Sequence, residues 1–256
     1  MIEDEPKPFL DHLDEVRIRL LHFSIAFFLV LGVVLMVPSF EHSVSIRVFR
    51  WLSAGLLPPG TRLVFLDAFE PAWVILKVGM ALTCVMLSPY LLYQVFAFVV
   101  PAFAKESQKT LALVVVAGTG LFALGMLFAY TLILPTSLNI LLGIGVAAGG
   151  VAQLTFDRFY TFILTMLLVF GIPFEMPLVL GFMVRLGVVD LIQIRASRRF
   201  VYIGIVVFAA VITPDPTPFS QVLLSAALVG LYELGLLACL FFESPKTAVE
   251  LEVGYK

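Results

Sequence analysis

The residues able to do chemistry in this 256-residue chain are carboxylates in conspicuous places. Glu15 lies in FLDHLDEVRIRLL, residues 9–21, where Asp11, Asp14, Glu15, Arg17 and Arg19 crowd within about two helical turns. The run that follows, His22 to Val37, carries no formal charge. A carboxylate at such a membrane entry point has two readings. It is a solvated i, i+4 pair with Arg19, or it is free to meet a cationic partner, best a guanidinium whose planar fork matches carboxylate geometry. Glu106, in the turn AKES, is by itself a solvated loop residue. Glu175 and Glu233 lie inside apolar segments, where an ionised carboxylate costs from ~2.5 kcal/mol upward. Each is either a protonated or hydrogen-bonded carboxyl of the helix bundle, or a polar pocket that receives a partner's polar group inside the membrane.

Soluble-type catalysis finds little to work with. The three histidines, His12, His22 and His42, all fall in the first 42 residues, and HExxH, GxSxG and P-loop patterns are absent. Cys84 and Cys239 sit in apolar runs without a CxxC or a neighbouring histidine, so they read as small core residues and no disulfide or metal site is expected. No cofactor is implied. A formal charge of -2 gives no ground for a nucleic-acid partner.

The elements that position these acids are membrane helices. Apolar residues make up 61% of the chain and charged ones 13%, against roughly 45–50% and 25% in a soluble domain. The expected fold is all-α, a single integral membrane domain of six spans at about 20–37, 72–100, 111–134, 159–184, 200–212 and 222–242. The last two are expected to be short. Residues 44–57 read as an amphipathic helix on the far surface. Pro89 is expected to kink the second span, Pro135 to end the third, and residues 139–157 to form a glycine-rich outer loop. The acidic, proline-bearing N-terminus lacks the marks of a cleaved signal peptide, so the first span is expected to be retained. No internal repeat is visible, which disfavours the inverted-repeat transporter architecture.

Lys and Arg sort by side. Lys7, Arg17, Arg19, Lys105, Lys109, Arg185, Arg195, Arg198, Arg199, Lys246 and Lys256 fall on one side, and Arg47, Arg50, Arg62 and Arg158 on the other. The positive-inside rule then places both termini in the cytoplasm, with Arg198 and Arg199 read as an orientation signal. In this frame Glu175 is about sixteen residues from the outer end of its span and Glu233 about fourteen, at similar depth in the inner half of the membrane. Lys77, about 8 Å in, is too shallow to pair with Glu175.

HLDEVRIRL at residues 12–20, SPYLLYQVFAFVVPA at 88–102, GMLFAY at 125–130, FGIPFEMP at 170–177, and ITP with FSQ around Thr213 and Gln221 resemble, in order and spacing, the TatC family of the twin-arginine translocase. The resemblance implies a six-helix, cup-shaped receptor in the cytoplasmic membrane that binds twin-arginine signal peptides of folded precursors. It would export them with the proton-motive force, alongside the single-span proteins TatA and TatB and other copies of itself in the bilayer. It further implies that Glu15 contacts the twin arginines together with Arg17 and Phe98. The family's second glutamate position falls on Ser107, with Glu106 one place earlier. Glu175 corresponds to the family's intramembrane glutamate, with Gln94 and Glu233 as further intramembrane polar groups, and with Tyr130 and Gln221 meeting partner subunits. The acid of the proline-rich outer turn is Asp215. The rival reading is a proton- or ion-coupled small-solute transporter that uses Glu175 and Glu233 as its relay.

Overall fold

In a helix whose surroundings hold no water, each proline removes an N–H and leaves a carbonyl one turn back without its donor, and this chain places several prolines in its apolar runs. The structure, a computed structural model, describes residues 9–37, 39, 42–99, 108–185, 189, 191–213 and 218–242. The helices are α1 (Phe9–Met36), α2 (Val44–Leu56), α3 (Glu70–Val99), α4 (Gln108–Phe128), α5 (Leu134–Ala147), α6 (Phe156–Gly171), α7 (Met176–Arg185), α8 (Leu191–Ala196), α9 (Arg198–Ile212) and α10 (Pro218–Phe242). A π turn, Ala129–Ile133, joins α4 to α5, and a 3₁₀ turn, Ile172–Glu175, joins α6 to α7. The all-α expectation gains one addition, a two-stranded pairing of β1 (Arg62–Val64) with β2 (Gln153–Thr155).

Among the described residues, five helical runs are long and apolar enough to cross a membrane: Asp14–Met36, Glu70–Ala97, Leu111–Ala147, Phe156–Val184 and Pro218–Leu237. α9 is short as expected, with 15 residues. α10 is not, because its helix begins at Pro218 and runs for 25 residues; proline is well tolerated in a first turn, where its N–H has no partner to lose.

The third apolar run also departs from expectation. Pro135 does not end it, and helix continues to Ala147. The π turn explains this: Leu134 N–H donates to Ala129 O, five residues back, which widens the turn ahead of the pyrrolidine ring. Thr131 and Thr136 hydroxyls donate to Leu127 O (2.8 Å) and Leu132 O (2.7 Å) on either side. Part of the expected glycine-rich loop is therefore helix. It stops at Gly149, whose φ of 87° suits glycine, and the bonds Gly149 N to Val146 O (2.9 Å) and Gly150 N to Gly145 O (3.0 Å) form a Schellman cap.

Other prolines are answered locally. In α3, Pro89 leaves Val85 O without its donor, and the Ser88 hydroxyl takes that carbonyl at 2.8 Å. In FGIPFEMP, Pro177 cannot reach Pro173 O, and Met176 N–H bonds it instead. That bond tightens the chain into the 3₁₀ turn on which Glu175 stands.

The helices fall into two compact units. In the first, α1 packs on α3 with Leu31 and Leu35 against Gly79. α2 is tied to α3 by the buried Ser45 hydroxyl, which donates to Ile75 O at 2.8 Å. Its Phe49 ring stacks on Tyr160 at 4.3 Å, while the Tyr160 hydroxyl donates to Phe49 O at 2.9 Å. In the second unit α10 packs on α7 and α9. Gly235 allows the closest approach there: a Cβ at that position would lie 3.0 Å from Pro177 Cα.

Gly125 of the GMLFAY stretch marks another close contact in the second unit. A Cβ there would lie 2.6 Å from Phe170 O and 2.8 Å from the Phe174 ring, so backbone must move to admit it. At Gly120 nothing lies within 4 Å. Gly125→Ala is therefore expected to destabilise by about 1–3 kcal/mol, whereas Gly120→Ala is neutral or stabilising by up to about 1 kcal/mol. Thermal unfolding in detergent checks both, and equal shifts would contradict the packing.

Candidate functional site

Glu15 and Arg19 stand one turn apart on α1, the spacing that lets side chains meet. Arg19 grips Oε1 of Glu15 with Nη2 at 2.6 Å and Nε at 3.2 Å. The same guanidinium reaches α3. Its Nη1 lies 3.0 Å from Gln94 O and 3.4 Å from Gln94 Oε1, and its Nη2 lies 3.3 Å from Ala97 O. Ala97 belongs to the last turn of α3, where carbonyls lack an intrahelical donor and the helix dipole favours a cation. Gln94 is itself oriented by its Nε2 donating to the Tyr90 hydroxyl at 2.6 Å.

Around these groups runs an open groove of about 620 Å³ lined by Asp14, Glu15, Ile18, Arg19, Tyr93, Gln94 and Ala97. Two carboxylates face one guanidinium, so its formal charge is negative. The Glu15 side chain is 39% exposed and that of Arg19 23%, which leaves the carboxylate reachable and the pair weak enough to exchange. Beyond the groove, Leu21, Ser24, Ile25, Phe28 and Leu29 of α1 line an apolar hollow of about 540 Å³.

The structure brings Gln94 to Glu15, a proximity that the sequence does not reveal. Arg17 is exposed, two residues from Glu15 and so on another side of α1. Phe98 falls within α3, but its side chain, like Glu106, Ser107 and Asp215, lies outside the described residues.

In the second unit, Glu175 has both carboxyl oxygens buried and no hydrogen-bond partner among the described residues. Among the described residues nothing answers its polar demand. Glu233 is the opposite case. Its Oε1 accepts from the Tyr202 hydroxyl, and its Oε2 lies 3.2 Å from Arg198 Nη2. Tyr202 meets Tyr232 edge to face at 6.0 Å, and the Tyr232 hydroxyl donates to Ile194 O at 2.9 Å. Arg198 is thus more than an orientation signal. Because α9 is only 15 residues long, its first turn reaches the level of Glu233 along α10. Arg199 instead lies 5.2 Å from the Phe200 ring centroid. Gly235 touches Pro177, each two residues beyond its glutamate, so Glu233 and Glu175 sit within about 6 Å of each other along the helix axes. Tyr130 is half-buried on the π turn, and Gln221 half-buried on α10 beside Ser220, whose hydroxyl lies 2.6 Å from that of Ser137.

Comparison with known proteins decides the family. Residues 11–226 match the family described as Sec-independent protein translocase protein (TatC). The chain is 32% identical over 232 residues to the TatC of Aquifex aeolicus, covering 90% of this chain and 93% of that one. It is 29% identical over 245 residues to the TatC of Escherichia coli K12, covering 94% and 92%. A crystal structure of the twin arginine translocase receptor TatC in DDM superposes with a TM-score of 0.76 at 32% identity, covering 88% of this chain and 98% of that one. This chain belongs to the TatC family. It is a multi-pass membrane protein and a component of protein transport, not an enzyme.

One charged network of this TatC chain is not evident from its sequence. Lys77 Nζ donates to Asp157 Oδ1 and to the Thr161 hydroxyl, the latter at 3.1 Å. Glu70 accepts from Asp157 N–H at 2.7 Å and from Leu66 N–H at 2.8 Å, so it caps the start of α6 and braces the turn before α3. Asp157 lies 80 residues from Lys77 in sequence. The signal in the sequence was depth: both fall near the outer end of a span, where opposite charges seek each other.

The Arg198 to Glu233 contact carries a prediction. A double-mutant cycle with Arg198→Ala and Glu233→Ala, read by denaturant unfolding in detergent, is expected to give a coupling of about 0.5–1 kcal/mol. Additive single effects would show that the contact does not stabilise the fold.

Proposed function

We propose that this chain is the signal-peptide receptor and core component of a Tat translocase, a single integral domain of the cytoplasmic membrane with both termini cytoplasmic. In this reading it binds the paired arginines of folded precursors, works with TatA, TatB and further copies of itself, and draws on the proton-motive force. The observation that carries the proposal is the Glu15 carboxylate. It stands in a water-accessible groove and already holds a guanidinium at 2.6 Å, a geometry fit for arginine. The apolar hollow on α1 begins one turn further on and suits the apolar stretch of a signal peptide. The names of the similar proteins, twin arginine translocase receptor and Sec-independent protein translocase, agree with this reading.

In this reading Glu106 or Ser107 adds to the arginine contact, with Phe98 and Arg17 as further binding residues. Glu175, whose buried oxygens have no partner among the described residues, offers a polar group to a partner inside the membrane. Tyr130 and Gln221 are the proposed meeting points for partner subunits. The solute-transporter alternative asks for two relay carboxylates, and Glu233 is already engaged by Arg198 and Tyr202.

Binding of a labelled twin-arginine peptide to the purified protein in detergent tests the proposal. Glu15→Gln removes a charge-assisted fork and should weaken binding by about 10- to 100-fold, and Glu15→Ala with Glu106→Ala should abolish it. Replacing either peptide arginine by lysine should weaken binding as well. Normal binding by the double variant would refute the receptor assignment.

The deeper carboxyl separates from the surface one in the same assay. Glu175→Gln should change affinity by less than about threefold, because the amide keeps a polar group at that depth and the Glu15 contact is untouched. A loss as large as that of Glu15→Gln would move the arginine site into the membrane.

A further inference from the structure

We propose that Arg19 is an internal stand-in for the ligand: it occupies the Glu15 carboxylate in the resting receptor, and an arriving arginine pair displaces it. The inference rests on the reading of Glu15 as the peptide site. Its ground is the geometry of one side chain. Arg19 presents Nε and Nη2 to Glu15 Oε1 at 3.2 and 2.6 Å, a two-donor grip on one oxygen where an incoming arginine can span both. Simultaneously it holds a neutral set of acceptors, Gln94 O at 3.0 Å, Gln94 Oε1 at 3.4 Å and Ala97 O at 3.3 Å. The second set does not include Glu15. Arg19 can therefore release the carboxylate and stay anchored to α3, where the carbonyl end of the helix favours a cation. Both of these Arg19 bonds to Glu15 fall on Oε1, so Oε2 is the atom at which exchange begins.

Two consequences follow from charge and exposure. An i, i+4 pair with both partners part-exposed is held weakly, so displacement lowers ligand affinity only a few-fold and is reversible. One incoming guanidinium that replaces Arg19 on Glu15 is an exchange of like for like. A second one adds a favourable contact that Asp14, in the same groove, is placed to share. Arg19 thereby sets a displacement cost that a pair offsets with its second contact and a single cation does not, and a lysine, lacking the fork, competes poorly.

The test uses the full chain in detergent and two labelled peptides, one with the arginine pair and one with a single arginine, followed by fluorescence anisotropy. Arg19→Gln removes the charge but keeps an amide donor for the Gln94 and Ala97 carbonyls. It should tighten the paired peptide about two- to five-fold and the single-arginine peptide by a similar factor, since each displaces Arg19 once. Unchanged or weaker binding, with the unfolding midpoint preserved, overturns the stand-in role. Should Arg19→Gln not fold, Arg19→Lys carries the same expectation at smaller size, since an ammonium lacks the fork, and weaker binding there overturns it too. Glu15→Gln is measured beside them: retained binding in that variant sinks the Glu15 assignment, whereas lost binding there without a gain in Arg19→Gln sinks only the stand-in.

Discussion

Out of reach of water, a polar group must be answered by another from the same bundle, and the helices of this protein are arranged by that constraint. Pro89 deprives Val85 O of its donor and Ser88 supplies one. Pro177 deprives Pro173 O, and Met176 N–H answers by tightening the chain into a 3₁₀ turn. Before Pro135 the chain takes the other course and loosens, through the bond from Leu134 N–H to Ala129 O. The apolar helices thus stay continuous through residues that would break a helix of a soluble protein, and the shape of each detour decides where a side chain such as Glu175 ends up.

Side-chain charges obey the same constraint. Lys77 meets Asp157, and Arg198 and Tyr202 meet Glu233. Such pairs are structural, because each charge finds its complement within the chain. The exceptions are informative for that reason. Glu175 finds no complement among the described residues, and Glu15 shares a part-exposed arginine with the backbone of α3. An unanswered or loosely answered acid costs stability when a bundle stands alone.

In the Glu15 groove one residue serves both helix packing and charge pairing. Arg19 ties α1 to the end of α3 through the carbonyls of Gln94 and Ala97 and at the same time pairs with the Glu15 carboxylate. Glycines play the complementary part where backbones touch. At Gly125 and Gly235 a missing Cβ lets helices approach within contact of Phe170 and Pro177, which is the packing available in lipid, where burial of apolar surface no longer drives helices together.

Sequence alone determined the class, the apolar runs, the family and the acids worth attention, since hydropathy and the order of short motifs are properties of the linear chain. It also located the amphipathic α2 and the site of Glu15. Tertiary structure decided the partners. That Glu233 is engaged by Arg198 follows from the shortness of α9, that Gln94 stands beside Glu15 follows from the packing of α1 on α3, and that Asp157 answers Lys77 depends on a contact across 80 residues. Helix continuity past Pro135 was likewise hidden, because the π turn that allows it is a hydrogen-bond choice and leaves no periodic trace in the sequence. Pairing and hydrogen bonding are relations between distant residues in space, and only the folded chain brings those residues within reach.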